Sequence, residues 1–247
     1  MPVDFPDLRH AVLCLAGGLL YPSAAQADNA AQHNAVDKIY HPYVQPLEKE
    51  IEFRTTYHND DDSRSEDGVW KEWLSVGRAL NEKVFLEAYL IGIRPPRESF
   101  RLEAYELEAR VQFTEQGQYW ADWGLLVEVE RERSESVTEI SAKLLVEKEL
   151  GAWALTVNLG PEYEFGSDIE DELDTEFSTQ LRYRYSAHFE PAVEVYVDEL
   201  TSAMGPVVQG LERMGGNRKL HWELGYMLPL NDGTPDSTWR LLLELEF

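Results

Sequence analysis

The closing stretch, Ser237-Thr238-Trp239-Arg240-Leu241-Leu242-Leu243-Glu244-Leu245-Glu246-Phe247, constrains the fold more than any other part of the chain. In an extended backbone Trp239, Leu241, Leu243, Leu245 and Phe247 share one face, while Arg240, Leu242, Glu244 and Glu246 share the other. A strand with one wholly apolar face and a free edge would recruit other chains in water. Lipid over that face, and a closed barrel that leaves no edge, remove both hazards at once. The terminus therefore predicts a strand that closes a transmembrane barrel.

The same alternation recurs upstream. Ile51, Phe53, Thr55 and Tyr57 oppose Glu50, Glu52, Arg54 and Thr56; Tyr105, Leu107, Ala109 and Val111 oppose Glu106, Glu108 and Arg110. Further along, Ala121, Trp123, Leu125, Val127 and Val129 oppose Asp122, Glu128 and Glu130, and Leu181, Tyr183 and Tyr185 oppose Arg182 and Arg184. Leu220, Trp222, Leu224 and Tyr226 oppose His221, Glu223 and Gly225. Counting such segments predicts an all-β chain: a closed antiparallel transmembrane β-barrel of about 12 strands over 47–247, an even number as single-chain bacterial barrels have. Long, acidic or Pro-rich connections alternate with short ones at 81–83, 150–151 and 215–217, so both ends are expected on the short-turn, periplasmic side. Arg78 shares the outward face of Leu74, Val76 and Leu80, where an arginine is tolerable only if it snorkels at a rim. A soluble sandwich or lipocalin-like barrel has the same alternation, turned inside out. Strand length and the apolar terminus favour the membrane form.

Residues 1–27 read as a cleaved signal peptide: Arg9 and His10, an apolar run Ala11 to Leu20, then Ala25-Gln26-Ala27 before Asp28. The only cysteine, Cys14, falls inside it, which excludes thiolate and Cys-zinc chemistry from the mature chain. Residues 28–46 show no period and are expected to be a lead segment on the periplasmic side; a plug formed by Tyr40-His41-Pro42-Tyr43 in the barrel mouth is the alternative to a disordered leader. A net charge of -24 argues against nucleic acid as a partner.

These features resemble bacterial outer-membrane β-barrel proteins. Ala25-Gln26-Ala27 before Asp28, the alternating strands of 47–247 and the terminal pattern carry the resemblance, while Lys38-Ile39-Tyr40-His41-Pro42-Tyr43-Val44 and Gly205-Pro206 resemble a proteobacterial outer-membrane family whose activity is uncharacterised. The resemblance implies the outer membrane of a Gram-negative bacterium, contact with lipid and lipopolysaccharide, and Trp239, Leu241, Leu243, Leu245 and Phe247 as the signal read by the barrel assembly machinery.

Function turns on the inward charges: Glu50, Glu52, Arg54, Glu106, Glu108, Arg110, Glu128, Glu130, Arg182, Arg184, Glu223, Arg240 and Glu244. Around water they would line a small, porin-like, passive path for small or cationic solutes. Paired with one another they would fill the lumen and leave a structural or surface-interaction barrel. A lipid-modifying barrel enzyme is the third reading, but no histidine has serine two residues on, and a non-enzyme is expected. No cofactor is expected, although the acidic loops around Asp60–Asp67 and Asp168–Asp174 could hold divalent cations weakly.

Overall fold

In the computed structural model, which describes residues 35–60, 67–133, 136–167 and 169–247, the alternation becomes twelve strands. They are β1 (Lys49–Asn59), β2 (Trp70–Ala79), β3 (Val84–Arg94), β4 (Arg101–Gln112), β5 (Asp122–Glu132), β6 (Thr138–Leu150), β7 (Trp153–Phe165), β8 (Glu172–Tyr183), β9 (Glu190–Val197), β10 (Ser202–Arg213), β11 (Lys219–Pro229) and β12 (Ser237–Glu246). Each pairs antiparallel with its neighbour in sequence, and β1 pairs with β12 to close the barrel. The closure register sets Glu50 opposite Glu246, Glu52 opposite Glu244 and Tyr57 opposite Trp239, and the Phe247 amide donates to Lys49 O at 2.9 Å. The expected signal peptide lies outside the described residues, as do 61–66 of the first acidic loop.

The faces fall as the period requires. Leu74, Leu90, Leu107, Leu159, Leu224 and Leu243 are exposed on the outer surface, whereas Glu52, Arg54, Glu194 and Arg240 are fully buried within. That is inverted relative to a soluble barrel, and it identifies the outer surface as the lipid contact. Aromatic side chains gather at both rims: Tyr57 against Trp70 and Tyr226 against Trp239 toward one end, Trp153 against Tyr183 and Trp120 against Trp123 toward the other. Rings with an apolar body and a polar edge settle at the headgroup level. Arg78 is on the outer face, one residue from the end of β2, where its guanidinium can reach headgroups.

We call the end that carries Lys49 and Glu246 the lower end and the other the upper. The short connections expected at 81–83, 150–151 and 215–217 lie below, together with the longer 113–121. Gly151 takes φ 67° at the first position of a two-residue loop, as a type II′ hairpin turn needs. Two Gly-Pro pairs sit within strands. A Cβ on Gly160 would lie 1.9 Å from Ala142 O, and one on Gly205 1.9 Å from Tyr226 O. Both pairs leave a gap in the ladder on one side, β6–β7 and β10–β11, because Pro161 and Pro206 have no amide to donate.

Replacing Leu107, at mid-height on the lipid face, with arginine should destabilise the folded barrel by about 2–4 kcal/mol, whereas Arg78→Leu at the rim should change it by no more than about 1 kcal/mol. Denaturant unfolding in lipid vesicles compares the two.

Candidate functional site: a lumen threaded by its own lead segment

The lead segment does not stay below the barrel. From Ala35 to Val44 it runs through the lumen, entering near the upper loop between β9 and β10 and leaving at the lower rim into β1. The Ala35 amide donates to Thr201 Oγ1 at 2.9 Å. At mid-height Tyr40 N and O bond the Asn158 side-chain amide, each at 2.8 Å. Lower down, His41 Nδ1 meets Glu147 Oε2 at 2.5 Å, Tyr43 OH donates to Asp122 at 2.8 Å, and Val44 N donates to Gln112 Oε1 at 2.7 Å. The expected periplasmic placement of 28–46 is thus corrected for 35–44, which lie in the lumen and include Tyr40-His41-Pro42-Tyr43, whereas Gln45 and Pro46 are exposed at the lower rim. Their lack of period has a physical cause: a chain inside a barrel meets wall on every side, so no single face need be apolar.

Apolar pegs seat the segment among the charges. Val36 and Ile39 pack with Tyr196, Ala203, Val207 and Met227; Tyr40 packs with Leu126 and Leu145; Val44 packs with Ala79 and Phe85. Two glycines make room. A Cβ on Gly77 would strike the Phe85 ring at 2.5 Å, and one on Gly124 would lie 3.0 Å from Pro42 Cβ. These inward apolar residues were missed by equating apolar with lipid-facing. The detectable signal was Leu126 and Leu145, both off the outward register of their own strands.

Two ion clusters hold the segment at mid-height. In the first, Arg54 pairs with Asp37 and lies 4.5 Å over the Trp73 ring, while Lys38 Nζ reaches Glu52 at 2.8 Å, Tyr89 OH at 2.6 Å and Glu87 at 3.8 Å. In the second, Arg240 bridges Glu194 at 2.9 Å and Glu223 at 3.0 Å and also donates to Asp37 O and Tyr196 OH. Gln180 and Tyr196 satisfy Glu194 further, each at 2.7 Å. Each buried charge in the two clusters has an opposite charge beside it, as burial requires, although Glu52 Oε1, Arg54 Nε and Arg240 Nε make no hydrogen bond.

Above and below the clusters the lumen opens. The upper cavity, about 150 Å³, is lined by nine acidic residues and three Lys or Arg, including Asp37, Glu106, Glu128, Glu130, Arg54 and Lys143. The lower cavity, about 320 Å³, is lined by eight acidic residues and four Lys or Arg, including Glu50, Glu52, Glu223, Glu244, Arg110 and Arg182. Glu108 lies buried between them, accepting from Tyr40 OH at 2.6 Å, and Arg184 reaches Glu149 and Gly151 O at the lower rim. All thirteen inward residues named from sequence therefore lie on the lumen side. What the sequence could not supply was their partners. Lys143, for example, bridges Glu128 at 3.0 Å and Glu176 at 2.5 Å.

Carboxylate oxygens of Glu106, Glu108 and Glu128 gather within 4.8 Å of one another, as do those of Glu172, Asp174 and Glu199 beside the second acidic loop. His41, His58 and His221 face the lumen, and His188 sits in a lower turn against Glu212. Among the described residues, then, no histidine is on the lipid face where a lipid-hydrolysing dyad would need it.

A closed, lipid-covered barrel around a charged interior is the fold of outer-membrane β-barrels, and the structural comparisons find the same fold. The chain resembles the COG4313 outer membrane channel from Pseudomonas putida F1, with TM-score 0.61, 12% identity, and coverage of 85% of this chain and 98% of that one. It resembles a KdgM porin in complex with disordered oligogalacturonate, with TM-score 0.54, 9% identity, and 80% and 98% covered. It also resembles the translocator domain of the autotransporter NalP from Neisseria meningitidis, with TM-score 0.51, 13% identity, and 89% and 91% covered. No protein-family model matches the sequence, and no curated protein matches it.

Threading makes a covalent test direct. Pro42→Cys with Gly124→Cys places two Cβ atoms about as close as a disulfide needs after a few tenths of an ångström of relaxation. Mild oxidation should cross-link the folded protein, seen as a peptide pair joined by a reducible bond. Arg240→Ala, which strands buried Glu194 and Glu223, should cost about 3–5 kcal/mol in unfolding experiments; replacing Glu194 with Gln in the same chain should recover part of it.

Proposed function

We propose that the protein is a narrow, passive, cation-preferring channel of the outer membrane, constricted at mid-height by its own lead segment. The acid excess in both cavities carries this reading, nine acidic residues to three Lys or Arg above and eight to four below. Facing carboxylates at both mouths raise the local concentration of cations and repel anions, and the low-dielectric wall strengthens the effect. The oligogalacturonate named with the KdgM porin is an anion, so a different solute charge is proposed here. The ion clusters and the threaded segment restrict passage to small solutes. Channel conduction needs no catalytic group, and the protein acts as a non-enzyme in this reading. Trp239, Leu241, Leu243, Leu245 and Phe247 serve as the assembly signal, since they form the outward face of the strand that closes the barrel.

A filled structural barrel is the second reading, favoured by the density of buried ion pairs around Arg54 and Arg240. Planar-bilayer recording separates them. Wild-type protein should conduct with a cation-to-anion permeability ratio above one, and Glu106→Gln with Glu108→Gln should lower that ratio severalfold. Folded protein that stays silent over repeated insertions would leave only the filled barrel.

A further inference from the structure

The lumen already binds one cation of defined chemistry, the ammonium group of its own Lys38. That ammonium has three N–H donors; the wall accepts two of them, at Glu52 (2.8 Å) and Tyr89 OH (2.6 Å), and Glu87 at 3.8 Å adds an ion pair rather than a hydrogen bond. Two ring faces complete the enclosure, Tyr40 at 4.8 Å and Tyr89 at 5.2 Å from Nζ to centroid. Of these groups only Tyr40 arrives with the lead segment. Glu52, Glu87 and Tyr89 belong to β1 and β3 and stay in the wall whatever the segment does.

Two further observations make the wall a site in its own right. Glu52 is fully buried, and its Oε1 accepts no hydrogen bond, lying 3.9 Å from Arg54 Nε. Access also exists, because Lys38, Glu50, Glu52 and Glu244 line the lower cavity, which opens to the lower end. Without Lys38, two buried carboxylates would lose their nearest cation, a costly state that a small ammonium ion arriving through that cavity would relieve.

We propose that Glu52, Glu87 and Tyr89 form a primary-ammonium site in the barrel wall, that Lys38 is its resident occupant, and that primary alkylammonium ions exchange with Lys38 there as the channel's solutes. The inference rests on the channel reading for the word solute, but not for the site. It also sets the selectivity. A primary ammonium supplies three N–H donors, whereas tetramethylammonium has none and sodium can meet the acceptors only as an oxygen-ligated sphere. Displacing Lys38 would free one mid-height anchor of the threaded segment, so solute entry and the constriction are coupled.

The probe is n-butylammonium chloride, with tetramethylammonium chloride at equal ionic strength as control, titrated calorimetrically into the full chain folded in detergent. Wild-type protein should bind butylammonium weakly, because tethered Lys38 competes at a high effective concentration. Lys38→Ala should bind it at least tenfold more tightly, with a denaturation temperature raised by about 2–4 °C at ligand about five times Kd. Tetramethylammonium should do neither, and adding Glu52→Gln should abolish the gain. Equal binding of both cations, or binding that survives Glu52→Gln, overturns the site. If Lys38→Ala folds poorly, its folded fraction with and without butylammonium becomes the readout. The Lys38→Ala/Glu52→Gln/Glu87→Gln chain, which keeps no unpaired carboxylate there, is then expected to fold equally in both. A folded fraction of Lys38→Ala that butylammonium does not raise counts against the site. Bilayer recording on wild type keeps the two ideas apart: conduction without the butylammonium gain removes the site and keeps the channel, and the gain without conduction keeps the site and removes the channel.

Discussion

Backbone pairing between β1 and β12 is the constraint on which the rest depends. Hydrocarbon offers an unpaired amide or carbonyl nothing to bond, so a sheet crossing a bilayer must close on itself. Closure brings Glu50, Glu52 and Arg54 beside Arg240, Glu244 and Glu246. Once the outer face is given to lipid, a charge in the middle of a strand has only the interior left to it, and an outward one such as Arg78 is confined to a rim. The acid-rich lumen follows from the closed edge as directly as the apolar belt does.

An interior that acidic cannot stand without cations, and the chain supplies several of its own. Arg54, Arg240 and Lys143 come from the wall, while Lys38 comes from the threaded segment. The segment in turn depends on the wall: Asn158 takes both backbone groups of Tyr40, and Gln112 and Thr201 take amides near its two ends. Neither part satisfies its buried polar groups without the other. Buried ion pairs contribute little net stability against well-packed apolar groups, but they penalise any arrangement that leaves one partner behind. Here that penalty specifies where the segment lies, and it leaves a cavity at each end with acid to spare.

Much of the barrel was legible because a strand's period reports its two environments directly. Trp239 to Phe247 kept an unbroken apolar outer face, with Leu242 the one apolar residue on the inner face, and Arg78, an apparent misfit, sits at the rim where an outward arginine can reach headgroups. Inward apolar residues were harder to read. Phe85, Ile91, Leu126 and Leu145 look like lipid-facing residues by type, yet they pack inside against the lead segment and its neighbours. Residue type reports polarity preference; only strand register reports direction.

By itself the sequence determined the class of fold, the number of strands, the closing strand and which charges face inward, because these depend on local alternation and on the chemistry of a bilayer. Tertiary structure alone decided the course of 35–46 and the pairing of each buried charge. Ala35 bonds Thr201 and Lys38 bonds Tyr89, contacts between residues distant in the chain that no local period encodes. Whether Ser237–Phe247 closes a barrel was written in its own residues. What that barrel encloses was settled only when a segment from the other end of the chain was threaded through it.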